Sequence, residues 1–174
     1  SQPYFMALPT YIDPRKLALQ GYLLEGDVAS ESLPRLTSAV EAISGSLRAA
    51  VQFELDESRA KIAHGCVDVT VHVICQRCLD IVSVDVHAEF AVQVIWSEEH
   101  ENRVAKNYEP WLVVDKMANL SELLEDEILL ELPLVNYHAE GACTGDAFIE
   151  DAGSENDGPV SDSPFSILAQ LKRK

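Results

Sequence analysis

Apolar and polar residues alternate on both sides of a short polar stretch near the middle of the chain. Val67, Val69, Val71 and Val73 alternate with Asp68, Thr70 and His72. Further on, Val82, Val84, Val86, Ala88, Phe90, Val92, Val94 and Trp96 alternate with Ser83, Asp85, His87, Glu89 and Gln93. A period of two puts one set of side chains in a core and the other in water. Two β-branched runs around Cys75-Gln76-Arg77-Cys78 predict a long antiparallel hairpin with both cysteines at its tip.

The same period extends upstream. Leu47, Ala49, Val51, Phe53 and Leu55 form an apolar set, and Asp56-Glu57-Ser58 supplies a turn, giving at least three consecutive antiparallel strands. The phase of the second strand is disturbed at His64-Gly65, which predicts a bulge there. Tyr22 to Leu24 reads as a brief strand closed by a turn at Glu25-Gly26-Asp27. Trp111 to Val114 reads as a short edge strand, and the polar run Ser97–Lys106 as a loop.

Helical spacing appears at four places. Asp13-Pro14 starts a short helix that Gly21 stops. Ser30 is placed to cap a second, with Leu33, Leu36, Val40 and Ile43 near helical spacing. Asn119, with Glu122 three residues on, caps a third that carries Leu120, Leu123, Leu124, Ile128 and Leu132 and ends at Pro133. Ser163-Pro164 starts a last one, with Phe165, Ile167, Leu168 and Leu171 as its apolar set and Lys172-Arg173-Lys174 at its end. So short a helix must dock to persist, on its own domain or in a partner's groove.

Together these give an α+β domain: an antiparallel meander or partly closed sheet with packed helices, an acidic loop and a C-terminal docking helix. The expected parts of the single domain are a helical or extended stretch at 1–45, the sheet and main helix at 46–135, the acidic flexible loop at 136–163, and the last helix at 164–174.

Charge narrows the partners. The chain of 174 residues carries a formal charge of −16, and no lysine or arginine lies between Lys116 and Lys172. Such a surface repels phosphate and anionic lipid and attracts basic proteins. No apolar run has the length of a membrane span, and the N-terminus lacks a signal-peptide pattern. The expectation is a cytoplasmic protein with no membrane partner, in which four cysteines imply metal or free thiols.

Cys75 and Cys78 are half of a zinc site, and His138 with Cys143 offers a second half of suitable donors. Reduced, metal-free thiols are the competing state and the one favoured, because His-x₄-Cys is not a standard half-site. Redox cycling through a disulfide is disfavoured by the hairpin setting. No hydrolase elbow, phosphate loop, zinc-protease helix or dinucleotide turn is present, so catalysis is not expected. RNA contact has Arg59, Lys61 and Arg77 available, which would form one patch if the hairpin gathered them.

Four fragments carry a resemblance: Cys75-Gln76-Arg77-Cys78 between two strands, Tyr108-Glu109-Pro110, Glu125-Asp126-Glu127-Ile128-Leu129-Leu130 leading into Leu132-Pro133, and terminal Pro164-Phe165 with Leu168, Leu171 and Lys172-Arg173-Lys174. In this order and spacing they resemble the bacterial YceD family, the large ribosomal RNA subunit accumulation proteins. The resemblance implies a non-catalytic ribosome-biogenesis factor supporting synthesis, processing or accumulation of large-subunit (23S) ribosomal RNA. Many relatives carry a second cysteine pair where this chain has His138 and Cys143. The expected partner is a basic ribosomal protein or large-subunit assembly factor. Contact is assigned to Cys75, Gln76, Arg77 and Cys78 at the tip and to Phe165, Leu168 and Leu171. The alternative is a small zinc-stabilised module touching 23S precursor RNA through Arg59, Lys61 and Arg77.

Overall fold

The computed structural model describes residues 6–144. The chain divides into two compact units, 1–138 and 139–174. The expected helix at 164–174, with Phe165, Leu168 and Leu171, lies outside the described residues, as does the expected acidic loop beyond Thr144.

The first unit is built on β3 (Ala42–Leu55), β4 (Lys61–Ile74) and β5 (Ile81–Ile95), preceded by β1 (Tyr11–Ile12), α1 (Pro14–Gln20), β2 (Leu23–Val28) and α2 (Pro34–Ala39). After it come β6 (Glu109–Leu112), β7 (Ala118–Asn119) and α3 (Leu120–Glu131). The main sheet has the order β2-β3-β4-β5-β6, and β1 pairs with β7 separately. The alternation works as expected. Val67, Val69, Val71, Val73, Val86, Ala88, Phe90 and Val92 are buried with Leu47, Ala49, Val51 and Phe53. Leu36 of α2 and Leu120, Leu123, Leu124 and Ile128 of α3 join the same core. The opposite face carries cross-strand polar pairs, among them His72 with Ser83 and Thr70 with Asp85.

The caps of α1 and α3 match the sequence. Asp13 accepts the Lys16 amide and Gly21 closes α1 in the left-handed region at φ +61. Asn119 Oδ1 accepts the Glu122 amide at 3.2 Å.

Five expectations are corrected. The sheet is open rather than partly closed, with β2 and β6 at its edges. β6 runs parallel to β5, because residues 96–108 carry the chain back along β5 before it pairs, Val92 with Glu109. β2 continues to Val28 through the expected turn, and Gly26 is needed there because the Met6 backbone occupies the space of a Cβ. The expected second helix breaks into a 3₁₀ turn (Ser30–Ser32) and α2; Ile43 pairs with Val71 instead, so sheet pairing overrides its helical spacing. The bulge lies in β3 between Ser44 and Arg48, where Gly45 has φ +72, and not at Gly65. Gly65 keeps regular register, but a Cβ there would collide with the Ala50 carbonyl and Val51 Cα on β3.

Of the second unit, Ala139–Thr144 is described. It contains a turn in which the Ala142 amide donates to the Ala139 carbonyl, with Gly141 at φ +77.

A candidate metal centre at the hairpin tip

The tip joining β4 to β5 is a turn closed by backbone hydrogen bonds. The Cys75 amide donates to the Asp80 carbonyl at 2.8 Å, and the Leu79 amide donates back to the Cys75 carbonyl at 2.9 Å. Leu79 takes φ +65 to close this turn, a conformation that glycine adopts at lower cost. Cys75 is fully buried. Burial pushes its thiol up, but hydrogen bonds from the Cys78, Arg77 and His138 backbone and from the Cys78 side chain outweigh burial and lower it to about 5.

The segment after α3 lies beside the tip. Gln76 fastens it, its amide donating to the Asn136 carbonyl at 2.8 Å and its side chain to the Leu134 carbonyl at 3.2 Å. Arg77 sits 5.0 Å from the Tyr137 ring centroid. His138 Nδ1 then lies 3.3 Å from the Cys78 sulfur, while its Nε2–H donates to the Ile81 carbonyl at 3.1 Å. In the neutral ring that second bond fixes the tautomer and turns the Nδ1 lone pair toward the thiols, the support that metal-ligating imidazoles ordinarily have. The hydrogen bond with Cys75, then the Ile81 carbonyl, raise the His138 pKa.

Within the first unit, the ligand atoms of Cys75, Cys78 and His138 all lie within 4.8 Å of one another and could hold a metal ion; Cys143 belongs to the second unit. Two thiols and an imidazole are donors that suit zinc, whose bonds of about 2.0–2.3 Å put tetrahedral ligand atoms roughly 3.3–3.8 Å apart, with a fourth donor completing the tetrahedron. The donor set fits.

Other expected residues are placed differently. Arg59 lies in the β3–β4 turn and Lys61 opens β4, whereas Arg77 follows the end of that strand. Fourteen residues of strand, at about 3.3 Å each, separate them by roughly 45 Å. The single basic patch is therefore not assembled. Cys66 lies on β4, where burial, then Asp68, Glu89 and Glu25, push its thiol up.

The YceD family model, described as large ribosomal RNA subunit accumulation protein YceD, matches residues 63–172, from the start of β4 through the tip and α3 and onward. The chain belongs to the YceD family. It is also 26% identical over 170 residues, 96% of this chain and 97% of the relative, to the large ribosomal RNA subunit accumulation protein YceD of Haemophilus influenzae. No solved structure matches. The name YceD describes accumulation of a ribosomal RNA and not a reaction. Among the described residues no helix is long and apolar enough to cross a membrane.

Two features escaped sequence reading. Glu125, in an acidic run that looks solvated, is buried. Trp96, which reads as the last apolar strand residue, collects cations: Arg15 lies 4.2 Å and Lys61 5.4 Å from its ring centroid. Neither local sequence carries a signal for this, because the partners come from α1, α2 and the start of β4.

Proposed function

We propose that this YceD-family protein is a non-catalytic cytoplasmic factor that supports large ribosomal RNA accumulation by binding a basic ribosomal or assembly protein. The observation that carries the reading is the surface between α3 and β6. Two depressions there, of about 430 and 520 Å³, share Trp111, Leu123 and Asp126. Exposed apolar side chains border them, Met117 and Val114 at one end and Leu130 at the other. The charged rim is acidic apart from Arg35, which is paired to Glu125 and Asp126. Burial, then the neighbouring carboxylates Glu109, Asp126 and Glu131, raise the Glu127 pKa. An apolar floor with an acid rim complements an amphipathic segment rich in lysine and arginine.

A photo-crosslinking amino acid in place of Leu130 tests this in cells. The expected product is a basic large-subunit ribosomal or assembly protein, lost when Glu122→Lys and Glu127→Lys are added. Cross-linking to RNA alone, or to a protein insensitive to those changes, would count against it.

The second reading, a small zinc-stabilised RNA-binding module, is favoured by the grouping of Cys75, Cys78 and His138. Zinc held by Cys75, Cys78 and His138, with Cys143 as the proposed fourth ligand, would fasten the hairpin tip and supply structural rather than catalytic chemistry. It leaves the tip residues Gln76 and Arg77 as a contact surface, and leaves RNA contact to cations other than one hairpin patch.

A further inference from the structure

The end of the sheet remote from the cysteines gathers positive charge on a strongly acidic molecule. Arg15 of α1 and Lys61 of β4 both lie over the Trp96 ring. A depression of about 270 Å³ beside it is lined by Lys61, Trp96, His100 and Arg103. Cation–π contact holds positive charge in place but brings no counter-charge. Among the described residues, Arg15, Lys61 and Arg103 make no ion pair. Arg15 Nε is a buried donor with no acceptor, an arrangement that costs about 1–3 kcal/mol unless an anion or water supplies one. Glu98, Glu99 and Glu101 share the 3₁₀ helix with His100 and Arg103, yet none of them lines the depression.

We propose that the Trp96 end of the sheet is a phosphate-binding site for single-stranded RNA, formed by Arg15, Lys61 and Arg103 around the indole. The cations come from three separate segments, α1, the start of β4 and the 3₁₀ helix after β5. An open surface of this kind tracks a backbone of successive phosphates better than it encloses one small anion. The proposal goes beyond the protein-binding reading: it needs neither the α3–β6 groove nor the metal group, and puts the RNA contact at the opposite end of β4 from Arg77.

The test is titration of the full chain, as a Trp111→Phe variant whose one remaining tryptophan is Trp96, with a fluorescein-labelled mixed-sequence RNA 20-mer. Anisotropy reports binding, and Trp96 emission reports the site. The expected result is saturable binding that perturbs Trp96. Lys61→Glu with Arg103→Glu should weaken it at least tenfold. Removing those two contacts should also flatten the log–log salt dependence by about 1.4, at roughly 0.7 per phosphate of a single strand. Arg103→Glu alone changes an exposed side chain and serves as the variant least able to disturb folding. Arg77→Glu, at the far end of β4, should weaken binding less than the double variant. Binding of inorganic phosphate without RNA, no RNA binding at 50 mM salt, or equal losses from Arg77→Glu and the double variant would each overturn the proposal.

Discussion

The Glu125 carboxylate receives the backbone amide of Arg35 at 2.7 Å, and the Arg35 Nε at 2.8 Å, across ninety residues of sequence. It also receives the Leu36 amide at 3.0 Å. These amides belong to the first turn of α2, which begins with Pro34 and has no capping side chain of its own. A side chain from α3 thus caps α2 and locks the two helices together over the core.

Glu125→Ala would strand those amides in a buried site. The expected loss is about 2–3 kcal/mol, a lost charge-assisted bond plus unsatisfied donors. Glu125→Gln, which keeps an acceptor, should cost about half of that. Urea unfolding followed by circular dichroism checks both; equal stability of Glu125→Ala and the parent chain would show that the carboxylate caps nothing in solution.

The metal group makes a separate claim. Protein purified without a histidine tag should carry about one equivalent of zinc. Cys75→Ser or His138→Ala should lose it, while Cys66→Ser should not. Chelation should lower the melting temperature and free residues 134–138 to hydrogen exchange, with the sheet core still protected. Metal content below about a tenth of an equivalent after gentle purification would rule the zinc reading out.

Gly65 is fixed by the approach of β3, so Gly65→Ala must push Ala50 and Val51 away or shift the register. Overpacking of this kind costs about 1–3 kcal/mol. Gly141→Ala meets nothing within 4 Å, and its φ of +77 alone makes the substitution strained.

On the polar face of the sheet, His87 Nδ1 lies 2.6 Å from Asp68 on β4 and Nε2 3.4 Å from Glu89 on its own strand. Hydrogen bonds to Asp68, then Glu89, raise its pKa. Arg48 on β3 stands opposite Asp68, and Asp85 lies on the same strand as His87. A pKa higher in the folded than in the unfolded state means that the contribution is complete below about pH 6.5. It is lost as pH rises through the folded value. In two-dimensional NMR the His87 ring should titrate above the ordinary histidine range, and Asp68→Asn should bring it back. A ring that titrates alike in both proteins would contradict the pair.

The strands were legible because each long strand has one buried and one wet face, so the period of Val67 to Val73 and of Val82 to Val94 survives in the sequence. The two caps at Asp13 and Asn119 are local chemistry and were equally readable. Ile43 shows where local reading ends: its spacing suits a helix, but pairing with Val71 decides. Cys75 and Cys78 announced a half-site, and His138 with Cys143 could be matched to it by donor type. The approach of His138 to the cysteines depends on Gln76 holding the segment after α3, which no spacing encodes. Glu125 and Trp96 were opaque for the same reason, since their roles rest on partners from distant elements. Arg59, Lys61 and Arg77 are close in number but stand at opposite ends of a long strand.

The central claim is that this YceD-family chain supports large ribosomal RNA accumulation by binding a basic protein along α3. The most direct measurement is the level of mature large-subunit RNA in cells lacking the endogenous YceD protein and expressing either this chain or its Glu122→Lys, Glu127→Lys form. Restoration by the parent chain, and failure of the stably folded charge-reversed form, is the predicted result. Equal restoration by both forms would contradict the account.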